Sequence, residues 1–203
     1  MKTILHLACS PRGRDAFSRL ISDELVERLR ARHPGARVVL RDLAAEPPPL
    51  VDAGFSAAIL AGPGEPGPAL AASETYIAEL EAADAVAIAT PMHNFGVPAA
   101  LKAWVDQIVR IHRTFRSTPQ GKVGLLADRP VFVAISSGGW FTGPTPTGAP
   151  AQPDFLRPYL RTVFETIGIR SVAFATIEGA TRGPEFAERA LAAARARIAE
   201  MAP

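Results

Sequence analysis

Cysteine is almost missing: Cys9 is the only one in 203 residues, so no disulfide can close within the chain. That usage favours a reducing compartment, and a cytoplasmic setting is expected. No apolar run approaches the ~20 residues that cross a bilayer, so no membrane association is expected. The short apolar start, Thr3 to Cys9, is interrupted by His6 and runs into Pro11-Arg12-Gly13-Arg14, which suits a buried strand better than a secretion signal. Charge of one sign is gathered nowhere. Twenty-two Lys and Arg stand against 20 Asp and Glu, for a net charge of +2, with no basic run to track a nucleic-acid backbone. No nucleic-acid partner and no metal site are expected, while an anionic small ligand remains compatible. The turn after the first apolar run, Ser10 to Ser18, lacks G-x-G-x-x-G and G-x-x-x-x-G-K-[ST], and G-x-S-x-G is missing throughout, which removes the dinucleotide fingerprint, the nucleoside-triphosphate loop and the hydrolase elbow. Internal repeats are missing too.

What is present is a 48% hydrophobic, 21% charged chain, enough to build a full core and unlike a disordered one. Residues 1–203 are expected to form one domain. Short apolar runs alternate with helical patterns, which is how a parallel sheet covered on both faces is written. Strands are expected at Thr3 to Cys9, Ala36 to Leu43, Ala85 to Thr90, Val131 to Ser136 and Val172 to Ile177. Helices are expected at Ser18 to His33, Ala69 to Ala83, Pro98 to His112, Phe155 to Ile167 and Glu185 to Met201. Gly168 ends the fourth of these. Residues 46 to 68, with three consecutive prolines and then Gly62-Pro63-Gly64, form a long excursion with a short helix near Ala53 to Leu60. Trp104, Val105 and Ile108 fit either core or a dimer surface. The class is α/β and doubly wound, with the order 2-1-3-4-5 and the dinucleotide-binding order both open.

In either order ligands sit beyond the carboxyl ends of the strands. After the first strand, Ser10-Pro11-Arg12-Gly13-Arg14-Asp15-Ala16-Phe17-Ser18 feeds a helix start, where free N–H groups and the hydroxyls of Ser10 and Ser18 suit a phosphate. The plainer alternative is that Ser18 only caps the helix. After the third strand, Pro91-Met92-His93-Asn94-Phe95-Gly96 offers Met and Phe to a flat ring and Asn94 to its edge. His93 fits a proton donor, a quinone-facing contact or an ordinary hydrogen-bonding residue. After the fourth strand, Gly138 and Gly139 in Ser136-Ser137-Gly138-Gly139-Trp140-Phe141 let backbone pass close to a ring carbonyl. Trp140 and Phe141 fit either a substrate-pocket lid or core packing. Cys9 reads as a buried, inert thiol.

Pro91-Met92-His93-Asn94-Phe95-Gly96-Val97-Pro98, then Leu101-Lys102-Ala103-Trp104-Val105-Asp106-Gln107, then Thr114-Phe115-Arg116 and Gly121 to Leu126, resemble the FMN-dependent NADH:quinone oxidoreductases, also called FMN-dependent azoreductases. Weaker likeness covers nearly the whole chain, including Arg41-Asp42-Leu43 and Ile177-Glu178-Gly179. The resemblance implies a flavodoxin-like three-layer fold with a five-stranded parallel sheet in the order 2-1-3-4-5, and a homodimer with FMN at its interface. It also implies two-electron reduction by NADH or NADPH and ping-pong transfer to a quinone or azo acceptor. Ser10 and Ser18 match phosphate contacts. Met92, His93, Asn94 and Phe95 match the segment along the ring and ribityl chain, and Ser136, Gly138 and Gly139 the loop at the pyrimidine end. The backbone N–H groups of Asn94, Phe95 and Gly139 are then expected to polarise the ring edge. The family usually has a hydroxyl residue where this chain has Ala16, often Gln for Phe17, commonly Tyr for His93 and Arg for Ser137. A phosphate donor is therefore lost, with Arg12 or Arg14 placed to compensate. An electron carrier, a redox sensor and a member that no longer binds flavin are the alternatives.

Overall fold

The computed structural model describes residues 1–62, 64 and 66–202. Its strands are β1 (Thr3–Ala8), β2 (Arg37–Asp42), β3 (Ala85–Pro91), β4 (Phe115–Thr118), β5 (Gly121–Gly124), β6 (Val131–Ser137) and β7 (Val172–Glu178). Its α-helices are α1 (Phe17–Arg32), α2 (Ala53–Leu60), α3 (Ala71–Ala82), α4 (Ala99–Ile108), α5 (Leu156–Ile167) and α6 (Pro184–Met201). The main sheet is parallel in the order β2-β1-β3-β6-β7, which is 2-1-3-4-5 when only its own strands are counted. Pro63 of the Gly62-Pro63-Gly64 turn, Glu65 and Pro203 lie outside the described residues. Among the described residues no helix is long and apolar enough to cross a membrane.

The residues of β3 explain the layers. Val86 and Ile88 point to one face and Ala85 and Ala87 to the other, since side chains alternate along a strand. On the Val/Ile face β1 adds Leu5 and Leu7, β6 adds Val133 and Ile135, and α3, α4 and α5 cover them with Ile77, Leu80, Leu101, Trp104, Leu160 and Phe164. Each such Leu or Ile contributes about 1.5–3 kcal/mol when fully buried. On the other face Ala85, Ala87, Ala134 and Ala175 keep the surface low, so α1 and α6 pack on it through Ile21, Leu25, Ala194 and Ile198. Trp104, Val105 and Ile108 are therefore core, with Trp104 fully buried 6.5 Å from Phe164.

The structure corrects the sequence in two places. The helix expected to run to His112 stops at Ile108, because Thr114 Oγ1 donates to the Ile108 carbonyl at 2.6 Å and accepts the Arg110 N–H at 2.9 Å. Arg110 then reaches Ser73 and Glu74, and Arg113 reaches Glu74 and Glu81, anchoring the turn to α3. The stretch after it, unassigned in sequence, folds as the antiparallel hairpin β4–β5. That hairpin rests on the end of α5. Gly168 takes φ +106°, and Ile169 N–H closes onto the Phe164 carbonyl at 2.9 Å in a left-handed helix stop. A β-carbon on Gly168 would sit 2.5 Å from the Leu126 carbonyl oxygen, and one on Gly124 would sit 2.1 Å from the Gly168 nitrogen.

One polar group lies inside the alanine-lined layer. His6 of β1 is buried, with Nε2 2.8 Å from Ser22 Oγ and Nδ1 3.6 Å from Asp23 Oδ1. Burial, then the positive charge of Arg19, pushes its pKa down to about 4 against the opposing pull of Asp23.

Two measurements follow. In urea titrations Gly168→Ala and Gly124→Ala are each expected to lower the unfolding free energy by about 2 kcal/mol or more. Gly35→Ala, which has open space around it, is expected to change it by less than about 1 kcal/mol; equal effects at all three would refute the close approach of hairpin and helix. His6 binds its proton near pH 6.5 when unfolded and near 4 when folded. The unfolded chain is thus the first to protonate as pH falls, and stability present above about pH 6.5 drains away toward pH 4, by on the order of 3 kcal/mol. A His6→Asn variant is expected to lack this component of the acid loss; a parallel pH profile would refute it.

Candidate functional site

β1 and β3 are neighbours, yet the chain leaves β1 toward α1 on one face and β3 toward α4 on the other. The loops beyond their carboxyl ends therefore part and leave a crevice, the usual ligand position in such sheets.

The loop after β1 turns tightly. Ser10 carbonyl accepts the Gly13 N–H at 3.0 Å, Ser10 Oγ accepts the Arg12 N–H at 3.3 Å, and a single 3₁₀ turn, Gly13–Asp15, leads into α1. The residue capping α1 is Ala16, which has no side-chain oxygen to satisfy the first N–H groups, and the first turn carries no acid. Ser18 is not the cap: it is the second residue of the helix. Its hydroxyl is fully buried and makes no hydrogen bond to any described residue. Arg12 lies with its guanidinium 5.8 Å from the centre of the Phe17 ring and lines the same crevice, whereas Arg14, exposed on the 3₁₀ turn, does not line it. A free helix start, an orphaned hydroxyl and one arginine fit an anion. Cys9, just before, is buried, which pushes its thiol pKa far up and keeps it inert.

The loop after β3 is a two-residue turn. His93 and Gly96 exchange both backbone hydrogen bonds at 3.0 Å, and Asn94 and Phe95 between them take φ +48° and +70°. That is the backbone of a type I′ turn, costly for a phenylalanine, and it leaves the N–H groups of both central residues unspent. The Phe95 carbonyl accepts the Phe155 N–H at 3.0 Å, which ties the turn to the entrance of α5.

The loop after β6 departs from expectation. Gly139 N–H is already given to Ser137 Oγ at 3.2 Å, so it is not free to meet a ring carbonyl, as expected from sequence. Gln152 Nε2 donates to the same Ser137 Oγ at 3.1 Å and to Met92 Sδ at 3.3 Å. A β-carbon on Gly139 would lie 2.4 Å from Gln152 Oε1, and one on Gly138 2.9 Å from Thr181 Oγ1. Phe141 is no lid: it is buried in the Val/Ile-faced layer, beneath the Arg157 guanidinium, with its N–H bonded to Glu178 at 2.7 Å.

These loops enclose a cavity of about 220 Å³. Ser10, Arg12, Phe17, Pro91, Met92, His93, Ser136, Ser137 and Gly138, all singled out from sequence, line it. Ser18 lies beneath it in α1, and Asn94 and Phe95 stand on the exposed turn beside His93. Gly139 and Trp140 belong instead to a second cavity of about 450 Å³. The sequence missed Ala180 and Thr181, which complete the first cavity from the loop after β7, and Gln152 of the long loop, whose amide bonds Ser137 and Met92 of its lining. β7 is the neighbour of β6, so its outgoing loop reaches the same edge; Gly179 and the small residue after it were the available signal.

The family model described as flavodoxin-like fold matches residues 2–202. FMN-dependent NADH:quinone oxidoreductase 2 of Cupriavidus pinatubonensis is 48% identical over 93% of this chain and 92% of its own length. FMN-dependent NADH:quinone oxidoreductase 4 of Pseudomonas fluorescens is 44% identical over 98% and 94%. The crystal structure of an azoreductase from Bacillus anthracis superposes with a TM-score of 0.84 at 25% identity, covering 100% of this chain and 99% of that one. With its sheet order, its crevice and these relatives in agreement, the chain belongs to the flavodoxin-like family, among the FMN-dependent NADH:quinone oxidoreductases.

Proposed function

We propose that this chain is an FMN-dependent NAD(P)H oxidoreductase that reduces quinones or azo compounds in a ping-pong cycle, residues 1–203 acting as one domain. The observation that carries the reading is the uncapped start of α1, whose second residue, Ser18, has a buried hydroxyl with no partner among the described residues, next in sequence to the Ser10, Arg12 and Phe17 that line the cavity. A buried hydroxyl left unsatisfied costs free energy, and a phosphate at the helix start would offset that cost. The residues present thus fit the phosphate of FMN despite Ala16 and Phe17, with Arg12 supplying charge where the family's hydroxyl is lost.

FMN, when bound, supplies the two-electron chemistry that no side chain here can perform. The chain's own residues do the rest. Ser10, Ser18, Arg12 and the first N–H groups of α1 hold the anion. Pro91, Met92, His93, Ser136, Ser137 and Gly138, which line the cavity, would hold the ring. The N–H groups of Asn94 and Phe95, which bond nothing among the described residues, would be free to meet negative charge on bound FMN. His93 is exposed at this edge and serves as a contact for the acceptor. A cytoplasmic homodimer belongs to the same proposal: the lone thiol is buried, and Leu50 and Leu60, 77% and 86% exposed, are available for a second copy to cover.

Purified protein incubated with FMN, desalted and mixed anaerobically with NADH is expected to show flavin absorption that bleaches and then returns on adding a quinone. Retained flavin that neither NADH nor NADPH reduces would make it a carrier or sensor, and no retained flavin would overturn the reading. Ser18→Ala is expected to weaken FMN binding about tenfold or more, read by flavin fluorescence quenching, since a hydroxyl bonded to a charged group contributes about 1.5–3 kcal/mol. The same variant should be no less stable without FMN, because the Ser18 hydroxyl bonds nothing among the described residues. Unchanged FMN affinity would take Ser18 out of the phosphate site.

A further inference from the structure

The second cavity, about 450 Å³, lies on the far side of Gly138 and Gly139 from the first, and its volume is that of a small-molecule site. One wall is Trp140. Its indole packs against Gly179, where a β-carbon would come within 2.4 Å of the ring, and meets Phe186 edge-on with centroids 6.0 Å apart. The opposite wall is a preformed turn: Thr145 N–H bonds the Ala149 carbonyl at 2.9 Å, Gly148 N–H the Thr145 carbonyl at 2.9 Å, and Ala149 N–H the Thr145 hydroxyl at 3.0 Å. Pro146 and Pro150 present apolar rings from that turn.

Charge enters at one point. The Arg182 guanidinium sits 5.8 Å from the centre of the Trp140 ring and gives its Nε–H to the Gly138 carbonyl at 3.3 Å. Neither of its terminal nitrogens meets a carboxylate among the described residues. Glu178, the acid on the neighbouring strand, is taken by the N–H groups of Phe141 and Thr142 and the Thr142 hydroxyl. An aromatic wall with a free planar cation at its rim selects a flat ring carrying a carboxylate or sulfonate, which a guanidinium grips with two parallel hydrogen bonds.

We propose that this cavity is a binding site for planar aromatic carboxylates or sulfonates, with Trp140 seating the ring and Arg182 the anion. Gln152 is the partition between the two cavities, because it lines this one while its amide bonds Ser137 and Met92 of the other. The binding at this cavity does not rest on the oxidoreductase reading.

The test is calorimetric titration of the FMN-treated protein with 2-naphthoate and with its neutral counterpart, 2-naphthamide. The naphthoate is expected to bind about tenfold tighter or more. Arg182→Gln should bring the two affinities together, Arg182→Lys should restore part of the difference, and Trp140→Leu should weaken both ligands severalfold. Tryptophan fluorescence gives a second reading, since Trp104 is fully buried in the other layer and only Trp140 can be quenched on contact. Equal affinities in the wild type, a preference that survives Arg182→Gln, or quenching that survives Trp140→Leu would each overturn the site. A protein that binds naphthoate as stated but retains no flavin loses the oxidoreductase reading and keeps this one; a protein reduced by NADH that fails the naphthoate test loses only this one.

Discussion

Parallel pairing of β1 with β3, Leu5 opposite Val86 and Ala8 opposite Ala89, decides where everything else can be. Cys9 extends the ladder by one bond, its N–H on the Ala89 carbonyl at 2.9 Å, and β3 runs only two residues further, to Pro91. The chain must then leave them on opposite faces, because α1 belongs to the alanine-lined layer and α4 to the Val/Ile-faced one. A right-handed crossover from each strand leaves no other arrangement. The crevice is thus a consequence of which faces of β3 are large and which are small. A Val at Ala87 would lift α1 off the sheet, and with it the loop that bears Ser10 and Arg12.

Within that crevice the chain keeps several groups in states that folding alone does not favour. An unbonded buried hydroxyl of the Ser18 kind costs about 1–3 kcal/mol, and a phenylalanine at positive φ costs a comparable amount. Both persist because their surroundings are over-determined. Ser18 is locked by α1, whose next turns are fixed by Ile21 and Leu25. Phe95 is locked by the paired hydrogen bonds of His93 and Gly96 and by Phe155. Features that lower stability and recur at one edge of one sheet are best understood as parts of a binding surface.

Much of this was legible in the sequence, for a physical reason. β1, β3 and β6 are buried on both faces and are written as unbroken apolar runs, and helices over such a sheet must show a 3.6-residue period, so elements and their alternation could be read within a residue or two. Gly168 was legible as a stop because nothing but glycine takes its φ cheaply. The hairpin β4–β5 was not, since its strands are four residues each and mostly exposed, with no alternation to see. The early end of α4 was hidden because it depends on Thr114, six residues on, reaching back to Ile108. In the site, residues on loops that follow β1, β3 and β6 were found because strand ends are visible. Gln152 and Thr181 were not, because only the folded course of the long loop and of the β7 exit brings them there. Phe141 misled for the converse reason: an aromatic after two glycines looks like a lid until Glu178 is seen holding its backbone down.

The substitution of the family's phosphate-loop pattern illustrates how a loss at one position is offset by geometry at another. Ala16 removes a hydroxyl but stays buried, so the turn keeps its shape and the N–H groups of α1 remain aimed at the crevice. Phe17 replaces a polar side chain with a ring on which Arg12 can rest, holding a flexible cation near the anion site at a lower entropic cost than an unsupported side chain would carry. A neutral donor is exchanged for a charged one. On the proposed reading, the phosphate grip leans more on long-range attraction than on a fixed hydrogen bond, and weakens more steeply with salt than one built on hydroxyls and backbone alone.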